Sequence, residues 1–296
     1  KESPNNRMGV ARWLLQEDNP LTARVAVNRF WAQLFGRGLL DTEEDFGTQG
    51  NLPDHPELLD WLTVQFLEDD WSTKRLIESI LSTQAWRQSS QVATDAIQKD
   101  PSNRYLHHFA TRRLESEAIG DAMLAVAGTL DRKMYGAPHN PYRTAEDEMK
   151  RLFSGPVDAN RRRMIYTKVT IMEPAKFLTT FNSPDPKIPT GVRDITNTPA
   201  QALTLLNHPF TIEIARQWSA QAVDDHHTEP RARLEVMLES AFSRSISNLE
   251  LSQWETALIK LSDLRGVPED AIMNNSQLWA DIAHTIFNTK EFIYLR

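Results

Sequence analysis

The chain has 296 residues, of which 40% are apolar, and this is enough to bury a sizeable core in one large domain or two smaller ones. Its 40 acidic residues outnumber its 33 lysines and arginines, and the net charge of −7 argues against a general nucleic-acid-binding protein, which needs a basic face. The absence of cysteine excludes thiolate catalysis, cysteine-ligated metals and haem attached through cysteine.

No membrane-spanning helix is expected. The longest strongly apolar stretch, Ala122 to Ala127, is far shorter than the roughly 20 residues that cross a bilayer. The chain begins at Lys1 without an initiator methionine or a signal sequence, so we expect it to be a fragment of a longer precursor.

Helical patterns dominate the first third of the chain. Asn19-Pro20 predicts a helix start, and the helix is expected to end at Gly36. Asp54 and Glu57 have the spacing of a capping box for a second helix, and Ser72 is the predicted N-cap of a third. Capping is therefore the expected role of these polar side chains.

The middle of the chain has a different character. A helix of small residues is predicted from Ser116 to Leu130. Residues 131–198 then contain many of the prolines, which predicts extended or looped backbone. Within this segment Met164 to Met172 (MIYTKVTIM) is rich in β-branched residues and is the strand candidate.

Helices resume at Thr198-Pro199-Ala200-Gln201, which has the pattern of a capping box with proline at the first helical position. His208-Pro209 is expected to interrupt and restart the helix. We predict a mainly α, multi-helix bundle in three parts: an N-terminal helical lobe (1–130), a Pro-rich, loop-dominated middle segment with a short strand (131–198) and a C-terminal helical lobe (199–296).

Two pairs of sequence blocks suggest an internal duplication. Phe35-Gly36-Arg37 resembles Phe242-Ser243-Arg244, and the block from Ile80 to Trp86 resembles the block from Ile286 to Phe292. The near-constant offset is compatible with one helical unit used twice, which would make two related lobes. A chance match between short blocks is the alternative.

The histidines give no metal-binding pattern, because neither H-E-x-x-H nor H-x-H occurs. His107-His108 and His226-His227 are adjacent pairs, and neighbours on a helix point in different directions. We therefore predict no metal site and no cofactor.

A cluster of charged residues on the first strong helix is the leading candidate for a ligand site. Arg24, Asn28 and Arg29 share this helix with large apolar residues, and Asp45 lies in the acidic stretch that follows. Such arginines either pair with carboxylates in a buried ion-pair network or bind an anionic ligand. Both interpretations stay open.

Two further residues complete the candidate set. His55 lies at the start of the second helix, and Arg163 ends a run of three arginines that could form an anion-binding edge or a solvated face. The predicted ligand-binding residues are therefore Arg24, Asn28, Arg29, Asp45, His55 and Arg163. The sequence does not identify which residues, if any, are catalytic.

Several blocks resemble one known family. NPLTARVAVNRFWAQLFGRGLLDTEEDFGTQG, HPELLDWL, ILSTQAWRQSS, DPSNRYL, RRRMIYTKV, FNSPDP and TNTPAQALTLLNHPF occur in the order found in the planctomycete-specific domain one family, unknown-function family 1553. The resemblance implies a C-terminal domain of large exported proteins that often carry a cytochrome-c-like domain, and hence a periplasmic or cell-surface location. It carries over no catalytic residue.

The leading hypothesis from these observations is a non-catalytic binding or interaction module. Its expected partners are the upstream domains of the same precursor, a cytochrome c or a cell-surface polysaccharide. The alternative is a hydrolase or other enzyme acting on an extracytoplasmic carbohydrate or anionic substrate. A third hypothesis is a purely structural domain that packs against upstream domains.

Overall fold

The computed structural model describes residues 4–16, 18–224 and 229–296, and the chain is mainly α-helical, as predicted. The His226-His227 pair lies outside these residues. Contacts divide the chain into two compact units, the first extending to Arg112 and the second running from Arg113 to Leu295. The three-part division expected from the sequence stays a prediction. No helix in the described parts of the chain is long and apolar enough to cross a membrane.

The first unit is built around three mutually contacting helices, α2, α3 and α4. Along α2 the buried residues Ala23, Val27, Trp31 and Phe35 recur every four positions, which places them on one face of the helix. They pack against leucines of α3 and the buried stripe of α4. The helices of this unit are α1 (Arg7–Leu14), α2 (Thr22–Phe35), α3 (Pro56–Glu68), α4 (Thr73–Leu81) and α5 (Thr94–Lys99).

The helix starts of this unit confirm the predicted cap of Ser72 and correct the other two. Helix α2 begins at Thr22 rather than at Pro20, and its N-cap, Leu21, makes no side-chain cap hydrogen bond. Asn19 Oδ1 accepts the backbone N–H groups of Leu21 and Thr22, at 2.9 and 3.1 Å, in the turn that leads into α2. The hydroxyl of Ser72 caps α4. The predicted capping box of Asp54 is wrong, because no side chain caps α3 and the Asp54 carboxylate is instead ion-paired with arginines.

The second unit contains the larger core, centred on the long helices α9 and α12. Trp218 of α9 stacks on Phe287 of α12 at 5.3 Å between ring centroids, and the fully buried Trp279 donates its indole N–H to Ile272 O at 2.9 Å. The helices here are α6 (Ser116–Val126), α7 (Lys176–Thr180), α8 (Pro199–Asn207), α9 (Pro209–Asp224), α10 (Pro230–Phe242), α11 (Asn248–Arg265), α12 (Ser276–Phe287) and α13 (Lys290–Ile293).

Short elements complete the fold. Strands β1 (Arg112–Arg113) and β2 (Tyr294–Leu295) form a two-stranded sheet, and short 3-10 turns occur at Ala159–Arg161, Met164–Tyr166 and Glu269–Asn274. The predicted capping box of Thr198 and Gln201 forms at the start of α8, and His208-Pro209 separates α8 from α9 as expected.

The strand expected at Met164–Met172 does not form. Its first residues make a 3-10 turn, and only Thr167 pairs, in an isolated parallel bridge with His139. Met164 is held inward, because it packs directly against Gly120 of α6. Ile165 and Val169 are left 69% and 66% exposed. The β-branched composition of this segment therefore does not produce a ladder, because its pairing with the neighbouring backbone stops at the single bridge between Thr167 and His139.

The repeated sequence blocks have matching local structures in the two units. Helices α2 and α10 both end at a left-handed residue, Gly36 with φ 82° and Ser243 with φ 53°. After α4 the hydroxyl of Thr83 accepts the N–H of Trp86 at 3.3 Å, and after α12 the hydroxyl of Thr289 accepts the N–H of Phe292 at the same distance. Helices α10, α11 and α12 also contact one another pairwise, as α2, α3 and α4 do. These correspondences support one helical unit used twice.

The matched helix ends predict that Ser243→Gly stabilises the protein. A left-handed backbone is strained for a residue with a Cβ atom, and glycine occupies this position at the end of α2. We expect the free energy of unfolding to rise by about 1 kcal/mol, measured by urea unfolding. The control is Ser245→Gly, also exposed but without a positive φ. Equal effects of the two substitutions would contradict the matched role of Ser243.

Candidate functional site

The predicted site residues of the first unit have structural partners. Arg24 forms an ion pair with Asp60 of α3. Asn28 is fully buried, and its side-chain amide donates to Leu40 O at 2.8 Å while its oxygen accepts Leu40 N–H at 2.9 Å. These two residues therefore fasten α2 to α3 and to the loop that follows α2.

The other three predicted residues of this unit do not join them in a pocket. Arg29 is exposed. Burial raises the pKa of Glu43, and the positive charge of Arg29 offsets this rise only in part. Asp45 accepts the N–H of Gly47 at 2.7 Å within its own turn. His55 hydrogen-bonds Arg104 O at 2.8 Å and lines a small cavity of about 60 Å³ whose wall includes none of the other predicted residues.

Arg163 belongs to the second unit and is also paired. Its guanidinium donates to Asp121 of α6 at 3.0 Å, and the same carboxylate accepts the N–H of Met164 at 2.6 Å. This ion pair holds the 3-10 turn of Met164–Tyr166 against α6. The ion-pair interpretation thus describes Arg24, although its pair with Asp60 is partly exposed rather than buried. Arg163, expected at an anion-binding edge or a solvated face, also has a carboxylate partner. A ligand site made of all six residues stays a prediction.

A larger cavity lies in the second unit, between the Pro-rich segment and the region where α7 begins and α8 meets α9. We call it the middle-segment cavity. Its volume is about 360 Å³, within the range of about 300–1,000 Å³ that is typical of ligand pockets. Its wall includes residues 142–147, Lys150, Glu173, Lys176 and His208.

The wall of this cavity is held by a buried arginine. The side chain of Arg143 is 7% exposed, and it donates to the hydroxyl of Thr170 at 2.7 Å and to Glu173 O at 2.6 Å. On the other side of the same loop, the backbone N–H of Arg143 donates to the hydroxyl of Ser154 at 2.9 Å. Arg143 therefore shapes the cavity rather than offering a free charge to it.

His208 is positioned by the start of α9. Its Nδ1 accepts the backbone N–H of Phe210 at 3.2 Å, so the proton of the neutral ring lies on Nε2. Burial lowers the pKa of His208, which keeps the ring neutral at neutral pH. Nε2 is then the hydrogen-bond donor that the ring can offer to a ligand.

A second histidine, His139, lines a smaller cavity of about 40 Å³ that shares Tyr142, Lys176 and His208 with the larger one. His139 is 5% exposed, its Nδ1 faces Asn140 O at 3.2 Å, and its Nε2 faces the hydroxyl of Thr167 at 3.3 Å. Both ring nitrogens are thus satisfied inside the protein. Burial lowers the pKa of His139, as it does for His208.

The charges that line the middle-segment cavity are balanced in number. The basic side chains are Arg143, Lys150 and Lys176, and the acidic ones are Glu146, Asp147 and Glu173. Within the described residues, no group of three or more His, Asp or Glu side chains is arranged to hold a metal ion. The chemistry available here is hydrogen bonding and ion pairing with a polar ligand.

A family model places the chain among known sequences. It matches residues 6–258, and its description is PSD1, protein of unknown function (DUF1553). The chain belongs to this family. No curated protein and no solved structure shows a significant match. Membership confirms the family resemblance seen in the sequence, and it leaves the residues of the site to be assigned from the geometry of the chain itself.

Sequence reasoning missed the residues of the middle-segment cavity. The available signal was His208-Pro209, a histidine directly before a helix start, which was interpreted only as a helix interruption. Lys176 and Tyr142 lie in or beside Pro-rich backbone with no periodic pattern. Their proximity depends on loop contacts that local sequence does not encode.

His139, which is buried, and His208, which is half-buried, predict that stability falls under mildly acidic conditions. Each ring binds a proton less readily in the folded chain than in the unfolded chain, where the pKa is about 6.5. Their contribution to the free energy of unfolding is therefore fully present above about pH 6.5 and is lost as the pH falls toward the lowered pKa values of the folded chain. Urea unfolding at about pH 7.5 and about pH 5.5 measures this loss.

Burial also lowers the pKa of His108 in the first unit, so this histidine adds to the pH dependence of stability. A double variant separates the effect of His139 and His208 from that of His108. We expect His139→Gln with His208→Asn to reduce the difference between the two pH values. An unchanged difference would contradict the assignment.

Proposed function

We propose that this chain is a binding module that holds a small polar ligand in the middle-segment cavity without transforming it. The observation that carries the proposal is the hydrogen bond from Phe210 N–H to Nδ1 of His208. It leaves a neutral histidine on the cavity wall with a donor, Nε2–H, as its remaining polar group.

This arrangement is opposite to the one that hydrolysis needs. In a catalytic histidine, Nδ1–H donates to an orienting group and Nε2 accepts the proton of the nucleophile. In His208 the nitrogen that can accept a proton is occupied by a backbone amide of α9. The ring is therefore suited to hold an acceptor atom of a ligand, and poorly suited to act as a base.

Asp147, one of the carboxylates on the wall, also favours binding. Hydrogen bonds from the backbone and side chain of Lys150 lower the pKa of Asp147, which keeps this carboxyl group ionised. A general acid for glycoside cleavage needs a raised pKa instead. The geometry thus favours the binding module over the hydrolase alternative.

The setting of the module is part of the proposal. We propose an extracytoplasmic location, at the periplasm or the cell surface, beside a cytochrome-c-like domain of the same precursor, as the family resemblance implies. The upstream domains, a cytochrome c and a cell-surface polysaccharide are the proposed partners. In this arrangement the ligand of the cavity is a small molecule or the end of a polymer.

A thermal-shift screen tests the proposal. The panel contains neutral sugars, sugar acids, amino acids and soluble cytochrome c, and each is also incubated with the chain and analysed by NMR for products. Ligand at about 100 times its Kd stabilises the folded state by about 2.7 kcal/mol. We expect one small-molecule class to raise the melting temperature in a concentration-dependent way without conversion.

Two outcomes contradict the binding proposal. If no small-molecule class raises the melting temperature, the cavity is not a ligand site under these conditions. If a ligand of the panel is converted to product at a rate that depends on His208, the chain is an enzyme.

A further inference from the structure

The cations around the middle-segment cavity are not equally available. Arg143 is engaged with Thr170 and Glu173, and the ammonium of Lys150 lies 3.2 Å from the carboxylate of Asp147. Lys176 lies at the start of α7, where its backbone carbonyl accepts the hydroxyls of Thr179 and Thr180, but its ammonium has no hydrogen bond or ion pair with any residue that the structure describes. Lys176 is therefore the free cation on this wall, within the described residues.

The acidic side chains are compensated by contacts with the protein. Glu146 accepts the backbone N–H of Ser154 at 2.6 Å. Asp147 accepts the N–H of Lys150 at 3.1 Å in addition to its ion pair with the same residue. The third acidic side chain, Glu173, has its carboxylate 4.0 Å from the guanidinium of Arg143. The charges are therefore balanced in number, but each carboxylate has a partner in the protein, whereas the ammonium of Lys176 has none within the described residues.

His208 adds a second donor on the same cavity wall as Lys176. Both residues line the middle-segment cavity and the smaller cavity that adjoins it. With Nδ1 occupied by Phe210 N–H, the ring offers Nε2–H. Pro209, the first residue of the 16-residue helix α9, lines the same wall, and the N-terminus of a helix favours negative charge.

The rest of the wall suits a hydroxylated molecule. Tyr142 presents an aromatic ring, and Thr144 presents a hydroxyl group. A volume of about 360 Å³ has room for a six-membered sugar ring with its substituents. We infer that the middle-segment cavity binds a small hydroxylated carboxylate of the sugar-acid type, with its carboxylate between Lys176 and His208. This inference rests on the proposed binding function and specifies its ligand class.

Isothermal titration calorimetry of the full chain with D-glucuronate and D-glucose tests the inference, since the two sugars differ in a carboxylate. We expect glucuronate to bind at least about tenfold more tightly, because a hydrogen bond to a charged group is worth about one order of magnitude in affinity. Lys176→Gln should remove this preference. Lys260→Gln, a control on the exposed face of α11, should retain it.

His208→Asn separates the two roles of the histidine. Asparagine can still accept an N–H group at the start of α9, so the helix keeps its cap, while the Nε2–H donor is lost. We expect glucuronate affinity to fall several-fold with an unchanged melting temperature of the free chain. An unchanged affinity would overturn the assignment of His208 as a donor.

Other outcomes separate this inference from the proposed function. If the two sugars bind with equal affinity, or if Lys176→Gln keeps the preference for glucuronate, the inference that Lys176 binds a ligand carboxylate is overturned. The proposed function as a binding module is unaffected by either result. If another small-molecule class of the thermal-shift panel binds and glucuronate does not, the sugar-acid inference is likewise overturned and the binding function is retained. If no small molecule of the panel binds, the proposed function and the inference both fall.

Discussion

Replacing Asn28 with alanine is expected to lower the free energy of unfolding by about 3 kcal/mol. The side chain is fully buried and makes two hydrogen bonds to the backbone of Leu40. Its removal leaves a buried N–H and a buried C=O without partners, and each such group costs about 1–3 kcal/mol. The space between α2 and the following loop would also be left partly empty.

Urea unfolding of Asn28→Ala measures this effect, and Asn51→Ala is the matched control. Asn51 is exposed and donates one side-chain hydrogen bond to Asp41, so its replacement should change stability by about 0.5 kcal/mol or less. Ligand affinity of the middle-segment cavity should be unchanged in a folded Asn28→Ala chain. Equal stability of the two variants would contradict the structural role assigned to Asn28.

Replacing Gly155 with alanine is expected to destabilise the second unit by about 3 kcal/mol. A Cβ atom at this position would lie 1.8 Å from the carbonyl oxygen of Asn140, so the two backbone segments would have to separate. The hydrogen bond from Gly155 N–H to Pro141 O, at 2.9 Å, would be lost with the close approach. Because these segments lead into the wall of the middle-segment cavity, ligand affinity should fall as well.

Gly47→Ala is the control for this substitution. Its Cβ would meet the carboxylate oxygen of Asp45 at 3.0 Å, and this is the end of a side chain that can move. We expect a change of about 0.5 kcal/mol or less by urea unfolding. If Gly155→Ala has the stability and ligand affinity of the original chain, the close contact does not shape the cavity.

The helices could be predicted from the sequence because their signals are local. Capping residues such as Ser72 and Thr198 satisfy amides within one turn of their own position, and proline at the first helical position acts on its own backbone. The strand at Met164–Met172 could not be judged in this way. A strand needs a partner, and here the backbone turns at Met164 because Arg163 is anchored on α6.

The candidate site was harder to predict for a related reason. The pattern on α2 indicates that Arg24 needs a carboxylate partner, but this partner, Asp60, is distant in the sequence. The run of three arginines does not indicate the ion pair between Arg163 and Asp121. Lys176 and His208 meet the Pro-rich segment only through loop contacts. Charge and helix periodicity describe one element at a time, whereas a cavity is formed by several.

The most direct test of the binding proposal uses the absence of cysteine from the chain. Ala145→Cys places a single thiol on an exposed residue of the cavity wall, and a bulky maleimide can then occupy the cavity. Ala93→Cys, exposed in the first unit, is the control. We predict that labelling at position 145 abolishes the ligand-induced rise in melting temperature, while labelling at position 93 preserves it. A rise that persists after complete labelling at position 145 would contradict the middle-segment cavity as the ligand site.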